Sequence, residues 1–270
     1  MQQFSDQIVW ITGASAGIGE ALAKEAANQG AKLVLSARRV EELDRVAKEC
    51  ELSDDQYLIL PMDMIQYNDF SSLVNVVIEK FGRIDYLFNN AGVSTRALAS
   101  ETPIEVDKRV MDINYFGSIS LTKAVLPFMS QQKKGHIIVT SSVVGYFATP
   151  MRSAYSASKH ALHGFYDALR EEIHGDNIII TILCPGYIKT NISVNALKSD
   201  GEKFNKMSAN QAAGMDPDAL ARKVLKAVKK NRRNINIGGS ELFGIYLHRF
   251  APGLLSKILR KKQSKNSFTQ

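Results

Sequence analysis

Seven runs of apolar residues recur along the chain, separated by stretches with a helical repeat. The runs are QIVWIT (7–12), AKLVLSARR (31–39), YLILPMD (57–63), IDYLFNNAG (84–92), HIIVTSS (136–142), NIIITILCPG (177–186) and INIGG (235–239). Their cores are apolar almost without alternation, the pattern of strands buried on both faces of a parallel sheet. Helices are predicted after the first run, over 68–81, 103–130 and 155–173, and from the Asp216-Pro217 start signal onward. Strand and helix alternate without a linker, repeat or low-complexity tract. The pattern therefore predicts a single α/β domain: a doubly wound parallel sheet of about seven strands, with helices on both faces. We draw that domain over residues 1–240. Within it, the polar and weakly periodic stretch 191–215 reads as a lid over a pocket or as a surface insert.

Composition narrows the class. A chain of 270 residues with 45% hydrophobic and 23% charged residues has a globular profile. No run approaches the ~20 apolar residues of a membrane-spanning helix. The N-terminus runs straight into a strand without a basic leader, so no signal peptide is expected. Cys50 and Cys184 form no pairing pattern and suit a reducing compartment, hence a cytoplasmic expectation. The five histidines lack metal-ligand spacing, and no metal is expected. The net charge of +7 is uneven: residues 217–270 carry thirteen Lys or Arg against two acids, +11, leaving −4 for the rest. That basicity concerns surface partners rather than fold.

The candidate chemistry gathers in SVVGYFATPMRSAYSASK (142–159). Tyr155 and Lys159 are four apart and share one helical face. An ammonium beside a phenol favours the phenolate, which prepares Tyr155 to exchange a proton with an oxygen. Ser142, at the end of a buried strand, offers a hydroxyl to the same oxygen. Near the N-terminus Gly13, Gly17 and Gly19 lie between a strand and a helix, where backbone N–H groups can approach a phosphate. Their spacing, Gly-x-x-x-Gly-x-Gly, departs from the common dinucleotide form. At the end of the second strand Ala37 stands where an acid would hold the ribose of NAD, and Arg38 and Arg39 follow. A guanidinium there suits a 2′-phosphate, so NADP(H) is expected over NAD(H). Asp63 ends the third strand, a carboxylate that could accept a hydrogen bond from an adenine amino group. Asn90 and Gly92 end the fourth. Asn114 is a poor helix former inside a predicted helix.

Taken together, TGASAGIG, Asp63, NNAG, Asn114, Ser142, Tyr155-x-x-x-Lys159 and PGYIKT, in this order and spacing over roughly residues 5–240, resemble the short-chain dehydrogenase/reductase family. The resemblance implies a single-domain Rossmann fold and a carbonyl–alcohol oxidoreductase. It assigns Tyr155 as general acid/base and Ser142 as the group polarising the substrate oxygen. Lys159 would lower the tyrosine pKa and grip the nicotinamide ribose, and Asn114 would support a water-linked proton path to that lysine. It also implies a pyrophosphate cradle of Gly13, Ser15, Gly17, Ile18 and Gly19. Arg38 would meet the 2′-phosphate, Asp63 and Met64 the adenine, Asn90 and Gly92 the adenosine side. Ile188 and Thr190 would fix the carboxamide, while Val144 and Tyr187 would line the substrate pocket with Ser142. A homodimer or homotetramer through the central helices, 104–130 and 153–173, belongs to the same implication.

Residues 241–270 form a basic amphipathic extension, with Phe243, Tyr246, Leu247 and Phe250, then Leu254, Leu255, Ile258 and Leu259, at helical spacing. Its apolar face suits the domain, a subunit partner or, peripherally through 241–262, an anionic membrane surface. It resembles the tail of members near 11β-hydroxysteroid dehydrogenase type 1 and the 7B-like dehydrogenase/reductases, which implies a lipophilic carbonyl or alcohol substrate. No nucleic-acid module is present, and no nucleic-acid partner is expected. The alternatives are a 3-oxoacyl-carrier-protein reductase and, in another class, a cofactor-binding sensor or scaffold without turnover. The filled catalytic positions argue against the second.

Overall fold

In a computed structural model, residues 4–267 are described, with side chains as far as Lys261. The apolar runs become strands that carry the helices in sequence: β1 (Ile8–Thr12), α1 (Gly17–Asn28), β2 (Lys32–Ser36), α2 (Val40–Glu49), β3 (Tyr57–Ile59), α3 (Phe70–Phe81) and β4 (Tyr86–Asn89). Next come α4 (Ile104–Met111), a π turn (Asp112–Phe116), α5 (Gly117–Gln132), β5 (Gly135–Thr140), α6 (Ser153–Glu172) and β6 (Ile178–Pro185). The chain continues through α7 (Ala209–Ala212), α8 (Pro217–Val228), β7 (Asn234–Ile237), α9 (Phe243–Phe250) and α10 (Pro252–Ser267). The strands pair in parallel in the order β3-β2-β1-β4-β5-β6-β7. The order reverses between β1 and β4, and the crevice outside the strand ends at such a switch point is where open α/β sheets bind ligands.

Both faces of the sheet are covered, which explains the unalternated strands. Val9 and Ile11 of β1 pack with α1, α2 and α8 through Leu22, Leu43 and Leu225. Ile8 and Trp10 face the other way, onto α3, α5 and α6 through Val74, Leu121 and Leu162. The structure adds α2, which the strand reading of 31–39 and 57–63 left unassigned. Its buried Leu43, Val46 and Ala47, followed by Cys50, have the i, i+3, i+4, i+7 repeat of an amphipathic helix. The third strand ends at Ile59 rather than at residue 63. The predicted helix over 103–130 is interrupted by the π turn, which contains Asn114.

The stretch 191–215 is tied down rather than loose. Leu197 N–H donates to the Ser94 carbonyl at 2.9 Å, and Arg96 N–H donates to the Leu197 carbonyl at 2.8 Å. Ser193, Ala196, Leu197 and Gln211 are buried. The C-terminal helices also return to the domain: Leu255 packs with Val143 and Phe147, and Gly244 lies so close to the Phe147 ring that a Cβ would sit 2.5 Å from it. Their outer face exposes Phe243, Tyr246, Phe250 and Leu254, with Phe250 81% exposed. Among the described residues no helix is long and apolar enough to cross a membrane.

Candidate active site

A single cleft of about 1530 Å³ runs along the strand ends, from Lys24 and Arg39 at one end to Leu255 and Ile258 at the other. Every predicted catalytic, cofactor-binding and substrate-binding residue lines it except Gly19 and Asn114. Its floor is knitted between the ends of β1 and β4. Thr12 Oγ1 donates to the Phe88 carbonyl and accepts the N–H groups of Asn90 and Ala91, both at 3.0 Å. The Asn90 side-chain amide returns to the Thr12 carbonyl at 3.1 Å.

At the first turn Gly13 and Gly17 have φ of +68° and +61°, the left-handed region that disfavours a side chain. A Cβ on Gly19 would lie 2.2 Å from the Gly13 carbonyl oxygen, so this glycine lets helix and turn close on each other. Ala16 precedes α1 and gives it no side-chain cap, leaving N–H groups of its first turn directed at the cleft. An uncapped helix N-terminus in a crevice fits a phosphate. The adjacent arginines divide: Arg39 donates to the Ser15 carbonyl and hydroxyl at 3.3 and 3.2 Å, while Arg38 stays 65% exposed with Asp63 at 4.0 Å. The Arg39 contact was not foreseen. Its signal is positional, because Arg39 immediately precedes α2 and is turned toward the glycine loop by that helix start.

At the other end Tyr155 and Lys159 occupy one buried face of α6, 6% and 3% exposed. Lys159 Nζ donates to the Thr140 carbonyl at 2.7 Å and lies 5.7 Å from the centre of the Tyr155 ring. Burial pulls its pKa down to about 8. Burial also pushes the Tyr155 phenol above its ordinary 10, opposed by the positive charge of Arg152 and by Ser142 beside it. Arg152 is thus a second cation beside the phenol, one not singled out from the sequence, with Lys159 Nζ 5.7 Å from the ring centre. The Ser142 hydroxyl lies beside the Tyr155 phenol, accepts Val144 N–H at 3.4 Å, donates to the Pro185 carbonyl at 3.5 Å, and faces the cleft.

Asn114 is held by the π turn so that its amide pairs with Val93 like a strand neighbour: its oxygen accepts Val93 N–H at 2.8 Å and its nitrogen donates to the Val93 carbonyl at 2.9 Å. The same nitrogen reaches Ser158 Oγ at 2.9 Å. Gly92 leaves open the space between Asn114 and Lys159; a Cβ there would sit 3.1 Å from the amide oxygen and 3.6 Å from the ammonium. That gap, beside a buried ammonium with one described bond, fits sugar hydroxyls. With the uncapped α1 at the far end, the cleft accommodates an extended dinucleotide. Beyond it Val143, Val144, Phe147, Leu247, Leu255 and Ile258 supply an apolar wall. Among the described residues no group of three or more His, Cys, Asp or Glu side chains is placed to hold a metal ion.

Comparison with known proteins agrees with this geometry. A family model described as short chain dehydrogenase matches residues 7–201. The chain is 43% identical to a dehydrogenase/reductase SDR family protein 7-like of Anopheles gambiae, over 99% of this chain and 86% of that protein. It is 39% identical to dehydrogenase/reductase SDR family member 7B of Mus musculus, over 96% and 81% of the two chains. Among solved structures, a short chain dehydrogenase/reductase from Burkholderia phymatum in complex with NAD shares the fold, with a TM-score of 0.82 at 24% identity over 94% and 96% of the chains. An alcohol dehydrogenase from Thermococcus sibiricus complexed with 5-hydroxy-NADP gives 0.75 at 25% identity over 88% and 98%.

Proposed function

The chain belongs to the short-chain dehydrogenase family, and from that premise we propose that it is an NADP(H)-dependent oxidoreductase interconverting a carbonyl and a secondary alcohol on a lipophilic small molecule. The observation that carries this reading is the meeting, in one cleft, of the buried Tyr155–Lys159 face, the Ser142 hydroxyl and the uncapped glycine turn. When bound, the nicotinamide supplies or accepts the hydride. Tyr155 gives its proton to the substrate oxygen in reduction and takes it back in oxidation, while Ser142 holds that oxygen in line. A phenol kept above pH 10 by burial is protonated at neutral pH, the state reduction needs. Lys159 holds ribose hydroxyls, and Asn114 keeps Val93 and Ser158 in place around it.

Preference for NADP(H) is supported by Ala37 in place of an acid and by the exposed Arg38, whose one described partner is Asp63 at 4.0 Å. The apolar wall supports a lipophilic substrate. We extend the reading to a cytoplasmic homodimer or homotetramer through α4–α5 and α6, which light scattering tests. Peripheral membrane contact through 241–262, whose last residue lies outside the described side chains, is tested by flotation with anionic vesicles. The central test is separate titration with NADPH and NADH, followed by assay of lipophilic carbonyls. NADPH is expected to bind more tightly, and Tyr155→Phe to abolish turnover while leaving NADPH binding nearly intact. Retained turnover in that variant, or binding of neither nucleotide by the wild type, refutes the assignment.

A further inference from the structure

Glu241 is the last acid in the sequence and the one acid of the basic extension 241–270. It belongs to a short turn, Ser240–Leu242, that leads into α9. Among the described residues its side chain meets no cation; it reaches back across the end of the sheet. Oε1 accepts the backbone N–H of Tyr187 at 2.9 Å and that of Gly239 at 3.0 Å. The carboxylate sits in a notch that only glycines permit. A Cβ on Gly186 would lie 1.7 Å from Oε1, and one on Gly238 would lie 2.6 Å from it. These residues join β6 to β7, where Gly186 N–H donates to the Ile237 carbonyl at 2.8 Å.

The peptide caught by this carboxylate opens the segment Tyr187–Thr190. From its other side the same segment is held by residues 211–215. Met215 N–H donates to the Tyr187 carbonyl at 2.9 Å, Lys189 N–H donates to the Met215 carbonyl at 2.9 Å, and the Gln211 amide donates to the Ile188 carbonyl. Thus Tyr187 is fixed at its N–H by the C-terminal extension and at its carbonyl by the polar stretch that follows it. Both ties converge on the wall of the cleft beside Ser142, and Glu241 itself lines that wall.

We propose that Glu241 is a positioning residue of the active site: through the Tyr187 and Gly239 N–H groups it sets the Tyr187–Thr190 segment against the nicotinamide end of the cleft and links the C-terminal helices to it. The inference rests on the oxidoreductase reading above and deepens it. A carboxylate that accepts two backbone N–H groups at a strand end replaces the ladder partners those groups lack there. Withdrawing it frees the loop from one side only, so its effect should stay at one end of the bound nucleotide.

The test compares Glu241→Ala, Glu241→Asp and Glu241→Gln in the full chain. Gln keeps an acceptor oxygen at the same reach, Asp withdraws it by one methylene, and Ala removes it. Each variant is titrated with NADPH and with 2′-phospho-ADP-ribose, which shares all of the nucleotide except the nicotinamide, and amide hydrogen exchange is followed at Tyr187 and Gly239. Glu241→Ala is expected to weaken NADPH binding by roughly tenfold, the factor that one hydrogen bond is worth. The phospho-ADP-ribose affinity should be unchanged, exchange at Tyr187 and Gly239 accelerated, and exchange at Ile182 in mid-β6 unaltered. Glu241→Gln should restore the wild-type pattern.

Equal weakening of both nucleotides, or none, overturns the proposal, as does failure of Gln to rescue. If the Ala variant does not fold, Asp against Gln decides: an Asp variant indistinguishable from wild type overturns it, and one impaired toward NADPH alone supports it. The wild type separates this inference from its premise. If the wild type binds neither nucleotide, the oxidoreductase reading fails; if it binds NADPH and the Glu241 variants bind it equally well, only the positioning role fails.

Discussion

Replacing Tyr166 by Phe tests how the floor of the site is supported. Tyr166 is fully buried in α6, and its hydroxyl meets Thr122 Oγ1 at 2.7 Å, Ser118 Oγ at 2.9 Å and the Asn89 amide nitrogen at 3.1 Å. Burial pushes its pKa up to about 12, so it remains a neutral donor and acceptor across the working range. The substitution removes only that oxygen. Asn89 retains Thr122 at 2.8 Å, whereas the Ser118 side chain loses its one described partner. A buried polar group left unpaired costs about 1–3 kcal/mol, and we expect a net loss of about 2 kcal/mol. For a domain of this size that corresponds to a fall in Tm of roughly 4–8 °C. The assay is urea unfolding followed by circular dichroism for the wild type, Tyr166→Phe, Thr122→Val and the double variant. Because the two hydroxyls share one network, the double variant should cost less than the sum of the singles by about 1 kcal/mol. A single-variant loss below about 0.5 kcal/mol, or additivity within about 0.5 kcal/mol, would refute the reasoning.

Two further predictions concern the cleft. Lys159 titrates at about 8 and Tyr155 above 10, so carbonyl reduction should decline as pH rises past 8 and Lys159 loses its charge, while alcohol oxidation climbs with the phenolate. The unfolded lysine holds its proton to 10.5, so between 8 and 10.5 the unfolded chain binds more protons and this group makes stability rise with pH. The activity loss is therefore not unfolding, and a reduction rate level from pH 8 to about 10 would contradict the assignment. Separately, Arg38→Ala should weaken NADPH by about tenfold or more, the scale of a charge-assisted bond, and leave NADH unchanged. Arg39→Ala should weaken both through Ser15, and parallel titrations in which Arg38→Ala affects both equally would remove Arg38 from the 2′-phosphate.

The parallel sheet was legible because its strands are buried on both faces and read as unbroken apolar runs. The members of the site were legible for a related reason: phosphate cradles and Tyr–Lys pairs depend on short spacings within one turn or one helix face. What escaped depends on contacts between distant segments. Which of two neighbouring arginines turns inward was decided by where α2 begins, and α2 itself had a clear repeat at Leu43, Val46 and Ala47. The packing of 191–215 depends on Leu197 reaching Ser94, more than a hundred residues upstream. Glu241 carried no sequence signal beyond being the one acid of the extension 241–270. That the Lys159 ammonium is held by the Thr140 carbonyl, and that Arg152 adds a second positive charge near Tyr155, has no signature in spacing at all.

The π turn at Asn114 has a consequence for the phase of the long helical rod that contains it. Val110, Asn114, Ser118 and Thr122 are buried at successive intervals of four. In an unbroken α-helix each such interval overshoots a full turn by about 40°, so three of them would carry Thr122 roughly 120° away from Val110. One wider turn absorbs part of that drift, and the residues that hold Val93, Ser158 and Tyr166 stay on one side. Within residues 112–116, a change of length by a single residue would therefore act as a rotation of everything C-terminal to it. Insertions and deletions there are expected to be worse tolerated than substitutions.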